Sequence, residues 1–250
     1  MKKEKVLALD FDGLICDGLD ECILVSWNAH YGQDIASFSD DGLEAIPRQF
    51  IERFSYLRNF AKHLGHFYVP LVDSDTPIIA QADFDARYKQ ISSDDIYQFV
   101  TRVSHYRHLV REEMEGRWLA YHTLYPGMKD FLASIKTPTY IVTAKDRQSV
   151  LKILKSAGIE MEPEKIYGDY QVKLEAFEDI ARKEQIDNES LYFFDDNVLN
   201  VIEAKKANYS AYWATWGYNI PNHFDLAKLH SVTGITLPAF LKNEFEVLPQ

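Results

Sequence analysis

The stretch Val6-Leu7-Ala8-Leu9-Asp10-Phe11-Asp12-Gly13-Leu14 decides how the rest of the chain is read. Its unbroken apolar start is what a strand buried on both faces of a parallel sheet requires. The run leads into two carboxylates one residue apart, then a glycine. In open α/β sheets, ligands bind at the carboxyl ends of the strands. Side chains alternate along a strand, so the spacing directs Asp10 and Asp12 to one side, with Phe11 opposed. Two acids aimed at one point repel unless a cation or a shared proton relieves them. A metal-assisted site built on Asp10 and Asp12 is the first expectation.

Outward from this stretch, Glu21 to Tyr31 predicts a helix closed by Gly32, and residues 33 to 47 a loop. A helical period returns from Arg48 to about Gly65, and Tyr68 to Asp85 reads as irregular. A long amphipathic helix is expected from about Asp94 to His122, capped by Ser92 or Ser93. No strand signal stands between Cys16 and His122. After Tyr125-Pro126-Gly127 the texture changes. Strands are predicted at Pro138–Thr143, Lys165–Tyr167, Leu191–Phe194 and Ala211–Thr215. Helices alternate with them at Met128–Ser134, Asp146–Ala157, Leu174–Glu184 and Val198–Ala207, and two short helices with a frayed end follow Asp225. Such alternation marks a parallel sheet with right-handed crossovers. The first strand has no crossover of its own, so it joins the later sheet. The expected architecture is α/β: a Rossmann-like parallel-sheet core of residues 1–15 and 123–250, with an α-helical domain, 16–122, inserted.

Composition narrows the function. With 46% hydrophobic and 14% aromatic residues in 250, the chain can build a packed core. A net charge of -11 argues against holding nucleic acid or an anionic membrane electrostatically, yet permits a local basic pocket for an anionic metabolite. Cys16 and Cys22 make no disulfide framework and fit a reducing, cytoplasmic setting. The start faintly resembles a signal peptide, but Asp10 and Asp12 interrupt it and no small-residue cleavage site follows. No segment approaches the roughly 18 unbroken apolar residues of a membrane span.

The predicted topology gathers several strand ends at one sheet edge. They carry Asp10 and Asp12, then Thr143 after Tyr140-Ile141-Val142, then Asp195-Asp196 after Tyr192-Phe193-Phe194, while the loop from Gly168 brings Lys173. This set suits phosphoryl transfer to a carboxylate. Asp10 can attack phosphorus as nucleophile. Mg²⁺ on carboxylate oxygens would offset the repulsion between anions. Thr143 and backbone N–H groups can hold the phosphoryl oxygens, and Lys173 can offset their charge. Asp12 can protonate the leaving oxygen and then activate water. Gly13 lets the backbone turn close to a phosphate.

With these residues assembled, the chain resembles the haloacid dehalogenase-like superfamily, in the phosphoglycolate phosphatase and beta-phosphoglucomutase-like branch. The first motif is Asp10-Phe11-Asp12-Gly13-Leu14, the second Thr143, the third Lys173, and the fourth Asp195-Asp196-Asn197-Val198-Leu199-Asn200. The resemblance implies a helical cap inserted after the first motif and a small phosphorylated metabolite as substrate. It implies Mg²⁺ held by the Asp10 carboxylate, the Asp12 backbone carbonyl and an acid of the fourth motif. Asp196 fits that last place best on the strand alignment, with Asp195 second. Tyr125-Pro126-Gly127 and Trp216-Gly217-Tyr218 also match the pattern. There are departures: Leu14 stands where threonine is commoner, Asn200 where a second acid is frequent, and Lys173 lacks the usual following proline. Lys145 is a rival to Lys173 for the phosphate-binding role. A phosphomutase, and a non-catalytic binding protein of the same fold, are the alternatives to a phosphatase.

Taken singly, each feature has an ordinary explanation. Asp-x-Asp-Gly is often a surface turn, and Asp195-Asp196 suits a helix N-terminus in any case. His105 and His108, one helical turn apart, have no further ligands clustered with them and read as a surface pair. The order and spacing of all four motifs carry the argument.

Overall fold

The computed structural model describes residues 5–72 and 76–243. The irregular reading of Asp73-Ser74-Asp75, the frayed C-terminal end and the first residues of the leader-like start lie outside them. The chain divides into two compact units, Met1–Asp17 with Leu124–Gln250, and Gly18–Thr123.

The chain opens with β1 (Val6–Leu9), buried at all four residues. A two-residue strand, β2 (Cys16–Asp17), follows where no strand was expected; it is too short to show a period. The second unit is helical: α1 (Leu19–His30), α2 (Arg48–Arg58), α3 (Gln81–Gln90), α4 (Ser93–Glu113) and α5 (Glu115–Ala120). Ser92 caps α4, its hydroxyl accepting from the Asp95 N–H at 3.1 Å.

Three readings of this unit need correction. The helical period read from Arg48 to about Gly65 ends at Arg58, where α2 stops. Helix α3 falls in the stretch taken as irregular, because Phe84 is its one fully buried apolar side chain and leaves no stripe to detect. The long helix breaks at Met114, whose φ of -130° and ψ of 36° are not helical. Beyond the break Trp118 is buried and its Nε1–H donates to Glu21 Oε1 at 3.2 Å. The Glu21 carboxylate, fully buried, also accepts from Arg107 Nε at 2.6 Å and Nη2 at 3.0 Å. A bidentate guanidinium is the kind of partner that lets a charge remain buried.

The chain re-enters the first unit through β3 (Thr123–Leu124), which pairs with β2. Then α6 (Met128–Ser134), β4 (Thr139–Val142), α7 (Arg147–Ser156), β5 (Ile166–Tyr167) and α8 (Lys173–Glu184) alternate. They are followed by β6 (Leu191–Asp195), α9 (Val198–Lys206), β7 (Ser210–Ala214) and α10 (Pro221–Leu229). The chain then adds β8 (Thr233–Ile235), a three-residue edge strand containing Gly234 that sequence periodicity missed, and α11 (Leu237–Leu241).

The main sheet has the order β5-β4-β1-β6-β7-β8, and every pairing in it is parallel. Leu7 lies opposite both Thr139 and Tyr192, which places β1 in the middle. From β1 the chain winds outward through β4 to β5, then back past β1 to β6 and outward the other way. Strand order therefore reverses beside β1, the position at which open α/β sheets bind ligands, outside the carboxyl ends of the strands. Helix side chains such as Phe177, Ile180, Val201 and Ile202 pack with Val6, Ala8 and Phe193 in one core.

Candidate active site

Asp10 follows β1 directly, and its N–H donates to the Phe194 carbonyl at 2.9 Å, stitching it to β6. The chain then turns tightly: the Phe11 carbonyl accepts from Ile15 N–H at 2.9 Å and Cys16 N–H at 3.0 Å. Gly13 makes the turn possible with a φ of +87°. A Cβ there would also stand 2.1 Å from Asp196 Oδ2. The crowding expected from a phosphate thus comes, within the protein, from a carboxylate. Leu14 is fully buried, and its carbonyl accepts from Trp216 Nε1 at 3.0 Å.

Lys173 is the first residue of α8, and its ammonium lies between two acids. It is 2.7 Å from Asp10 Oδ1 and 2.6 Å from Asp195 Oδ2. All three residues are buried. Burial pushes the Asp10 carboxyl up, Lys173 opposes the shift and Asp195 adds to it, leaving its pKa at about 6. Burial also works against the charge on Lys173, but Asp10 and Asp195 outweigh it and its pKa is raised.

Asp195 ends β6 with both oxygens engaged. Oδ1 accepts from the Asn197 N–H at 2.7 Å, and Oδ2 accepts from Asn200 Nδ2 at 2.8 Å as well as from Lys173. Asn200, the departure in the fourth motif, therefore holds the acid beside it. Asn197 caps α9 by accepting from the N–H groups of Leu199 and Asn200. Asp196 is turned differently: Oδ2 accepts from the Tyr218 N–H at 2.7 Å, and its carbonyl from Trp213 Nε1 at 2.8 Å. Gly217 allows this approach, since a Cβ there would lie 2.2 Å from the Gly13 carbonyl and 2.4 Å from Asp196 Cβ. Sequence reasoning marked Trp216-Gly217-Tyr218 without seeing this task; it missed the contacts of Asn197 and Asn200 altogether.

Asp10, Asp195 and Asp196 each offer a carboxylate oxygen within 4.8 Å of the others, all buried. Among them stands one ammonium, Lys173, so negative charge is in excess. Hard oxygen donors in that balance fit a divalent cation such as Mg²⁺. The Asp12 carboxylate stands outside this group. It faces Lys145, whose ammonium is 3.3 Å from Oδ1 and donates to Oδ2 at 3.5 Å. The two acids of the first motif are thus divided between two lysines, where the strand spacing alone predicted convergence. Thr143, just past β4 and buried, accepts through Oγ1 from the Lys145 N–H at 3.2 Å, which leaves its hydroxyl hydrogen able to donate onward.

A family model for haloacid dehalogenase-like hydrolases matches residues 4–208. The chain belongs to the haloacid dehalogenase-like hydrolase family. It is accordingly a hydrolase. Solved structures share the fold. A predicted phosphoglycolate phosphatase from Haemophilus somnus is 19% identical, with 98% of this chain and 99% of the other covered at a TM-score of 0.61. A predicted phosphatase from Clostridium acetobutylicum is 14% identical, with coverage of 98% and 100% and a TM-score of 0.61. A haloacid dehalogenase-like family hydrolase from Streptococcus pneumoniae is 17% identical, with coverage of 98% and 100% and a TM-score of 0.59. No curated protein sequence is similar enough to count as a relative. Among the described residues no helix is long and apolar enough to cross a membrane.

Proposed function

We propose that this hydrolase is a Mg²⁺-dependent phosphatase that cleaves a small phosphorylated metabolite through an aspartyl phosphate on Asp10. The observation that carries the reading is the Lys173 ammonium held between Asp10 and Asp195, at 2.7 and 2.6 Å. It orients one Asp10 oxygen and offsets the charge of the acids around it, which leaves a carboxylate aimed from the strand end as nucleophile. Asp10 and Asp196 would hold Mg²⁺ with the Asp12 backbone carbonyl, Asp195 being taken up by its three donors. Bound there, the cation would neutralise charge between the anionic nucleophile and the phosphoryl group. Thr143 donates its hydroxyl hydrogen to a phosphoryl oxygen, and Asp12 carries the proton to the leaving oxygen and later takes one from water.

The helical unit Gly18–Thr123 is, in this reading, the inserted cap of the family. The fold neighbours from Haemophilus somnus and Clostridium acetobutylicum, a predicted phosphoglycolate phosphatase and a predicted phosphatase, accord with the chemistry. So does the role of Asn200, which supports Asp195 and gives no reason to think the site has decayed into a binding surface. A cytoplasmic setting accords with Cys16 and Cys22 as buried free thiols. Purified protein given p-nitrophenyl phosphate tests the proposal. Turnover should require Mg²⁺, stop with EDTA and be abolished by Asp10→Asn; activity that persists without metal or in that variant would end it. A second readout needs no turnover: Mg²⁺ should raise the melting temperature of the wild type and not that of Asp196→Asn.

A further inference from the structure

The contact between Lys145 and Asp12 supports one more step. The Lys145 side chain is 1% exposed, although lysine is seldom buried unless its charge is met. Its backbone is anchored twice: the N–H donates to Thr143 Oγ1 at 3.2 Å, and the carbonyl accepts from Asp169 N–H at 3.0 Å. Gly168 closes over it, since a Cβ there would lie 2.9 Å from that carbonyl and 2.4 Å from the Arg147 nitrogen. The ammonium is thus built into its place.

The two buried lysines grip their acids differently. Lys173 makes contacts of 2.6 and 2.7 Å, the range of tight charge-assisted hydrogen bonds, whereas Lys145 stands 3.3 and 3.5 Å from the Asp12 oxygens. Lys173 locks an acid that must stay still. Lys145 steers an acid that must exchange a proton. We propose that Lys145 is the positioning residue of Asp12, turning its carboxyl group away from the Asp10–Asp195–Asp196 cluster and toward the leaving oxygen, and that it is not a ligand of the transferring phosphoryl group.

This rests on the reading of Asp12 as proton carrier. In the first step an Asp10 oxygen bonds to phosphorus as the bond from phosphorus to the leaving oxygen breaks, and the Asp12 proton passes to that oxygen. Lys145 neither gains nor loses a proton.

The test uses leaving groups. p-Nitrophenolate departs with little need of a proton, whereas the alkoxide of benzyl phosphate must be protonated. The ratio kcat/KM reports the step up to phosphoryl transfer for each. In Lys145→Met it should fall about 100-fold on benzyl phosphate, within the range of general acid catalysis, and about threefold on p-nitrophenyl phosphate. Lys145→Arg should recover most of the loss on benzyl phosphate. Lys145→Met combined with Asp12→Asn should be no slower than Asp12→Asn alone, as expected when one residue acts through the other. Equal losses on the two substrates, or losses that add to those of Asp12→Asn, would overturn the inference. Failure of the underlying reading looks different: Asp10→Asn would remain active, or Asp12→Asn would itself show no dependence on the leaving group.

Discussion

At the scale of single residues, the site depends on how each acid is held. Asp10 shares an ammonium with Asp195, Asp196 is held by a backbone N–H, and Asp12 leans on Lys145. In the proposed mechanism these differences give chemically identical side chains distinct tasks. Lys173→Met removes the ammonium held between Asp10 and Asp195, and should lower kcat on p-nitrophenyl phosphate by about 100-fold or more, the scale reached when a preorganised charge is lost. A loss below tenfold, measured by steady-state kinetics, would place the nucleophile's orientation elsewhere. Gly13→Ala makes a different test. Its φ of +87° and the 2.1 Å approach to Asp196 leave no room for a methyl group. The substitution should destabilise the fold by more than about 1 kcal/mol in urea unfolding and weaken Mg²⁺ binding by displacing Asp196. Unchanged binding would show that Asp196 is not a ligand.

At the scale of elements, strands with unbroken apolar runs were legible in the sequence, and so were the acids that end them. Val6 to Leu9 and Leu191 to Phe194 are buried at every residue, which is why no alternation appears in them. Thr143 could be placed because it follows an apolar strand, whereas Lys173, read in the loop from Gly168 and found at the start of α8 after β5, was singled out by the family resemblance. What escaped detection has physical reasons. Helix α3 has one fully buried apolar residue, and β8 is a short edge strand with a glycine. The hydrogen bond from Tyr218 joins positions 22 residues apart that only the folded chain brings near, and the one from Asn200 reaches back five residues to Asp195 across the turn from β6 into α9, which no periodicity marks. The division of Asp10 and Asp12 between two lysines was hidden for the same reason. The break at Met114 belongs with these, since it serves a contact between Trp118 and Glu21 that lies 97 residues apart in sequence. That contact is itself testable. Glu21→Ala takes the bidentate acceptor from the buried Arg107 guanidinium, and thermal or urea unfolding should show a loss of about 3–5 kcal/mol. A loss under 1 kcal/mol would mean that the guanidinium is satisfied without Glu21.

At the scale of the whole molecule, stability and catalysis should respond to pH through different groups. His66 is buried in the helical unit with the His63 ring centroid 3.9 Å from its own. Its Nδ1 accepts from the Lys62 N–H at 3.2 Å, as a neutral ring can. Burial, with help from His63, Lys62 and Arg58, depresses its pKa to about 3. In the unfolded chain the same ring takes a proton near pH 6.5. The stability this group contributes is therefore complete above about pH 6.5 and is lost as pH falls from there toward 3, at up to about 1.4 kcal/mol per pH unit. Urea unfolding at pH 7 and pH 5 should show a smaller decline for His66→Phe than for the wild type; equal declines would assign the acid sensitivity to other groups. The proposed mechanism places a phosphoryl group covalently on one carboxylate, which an acid quench would trap. Protein mixed with p-nitrophenyl phosphate and Mg²⁺, quenched in acid within one turnover and digested, should carry a phosphoryl group on the peptide that contains Asp10, found by mass spectrometry. A phosphoryl group on another residue, or none while p-nitrophenol is released in a burst, would contradict it.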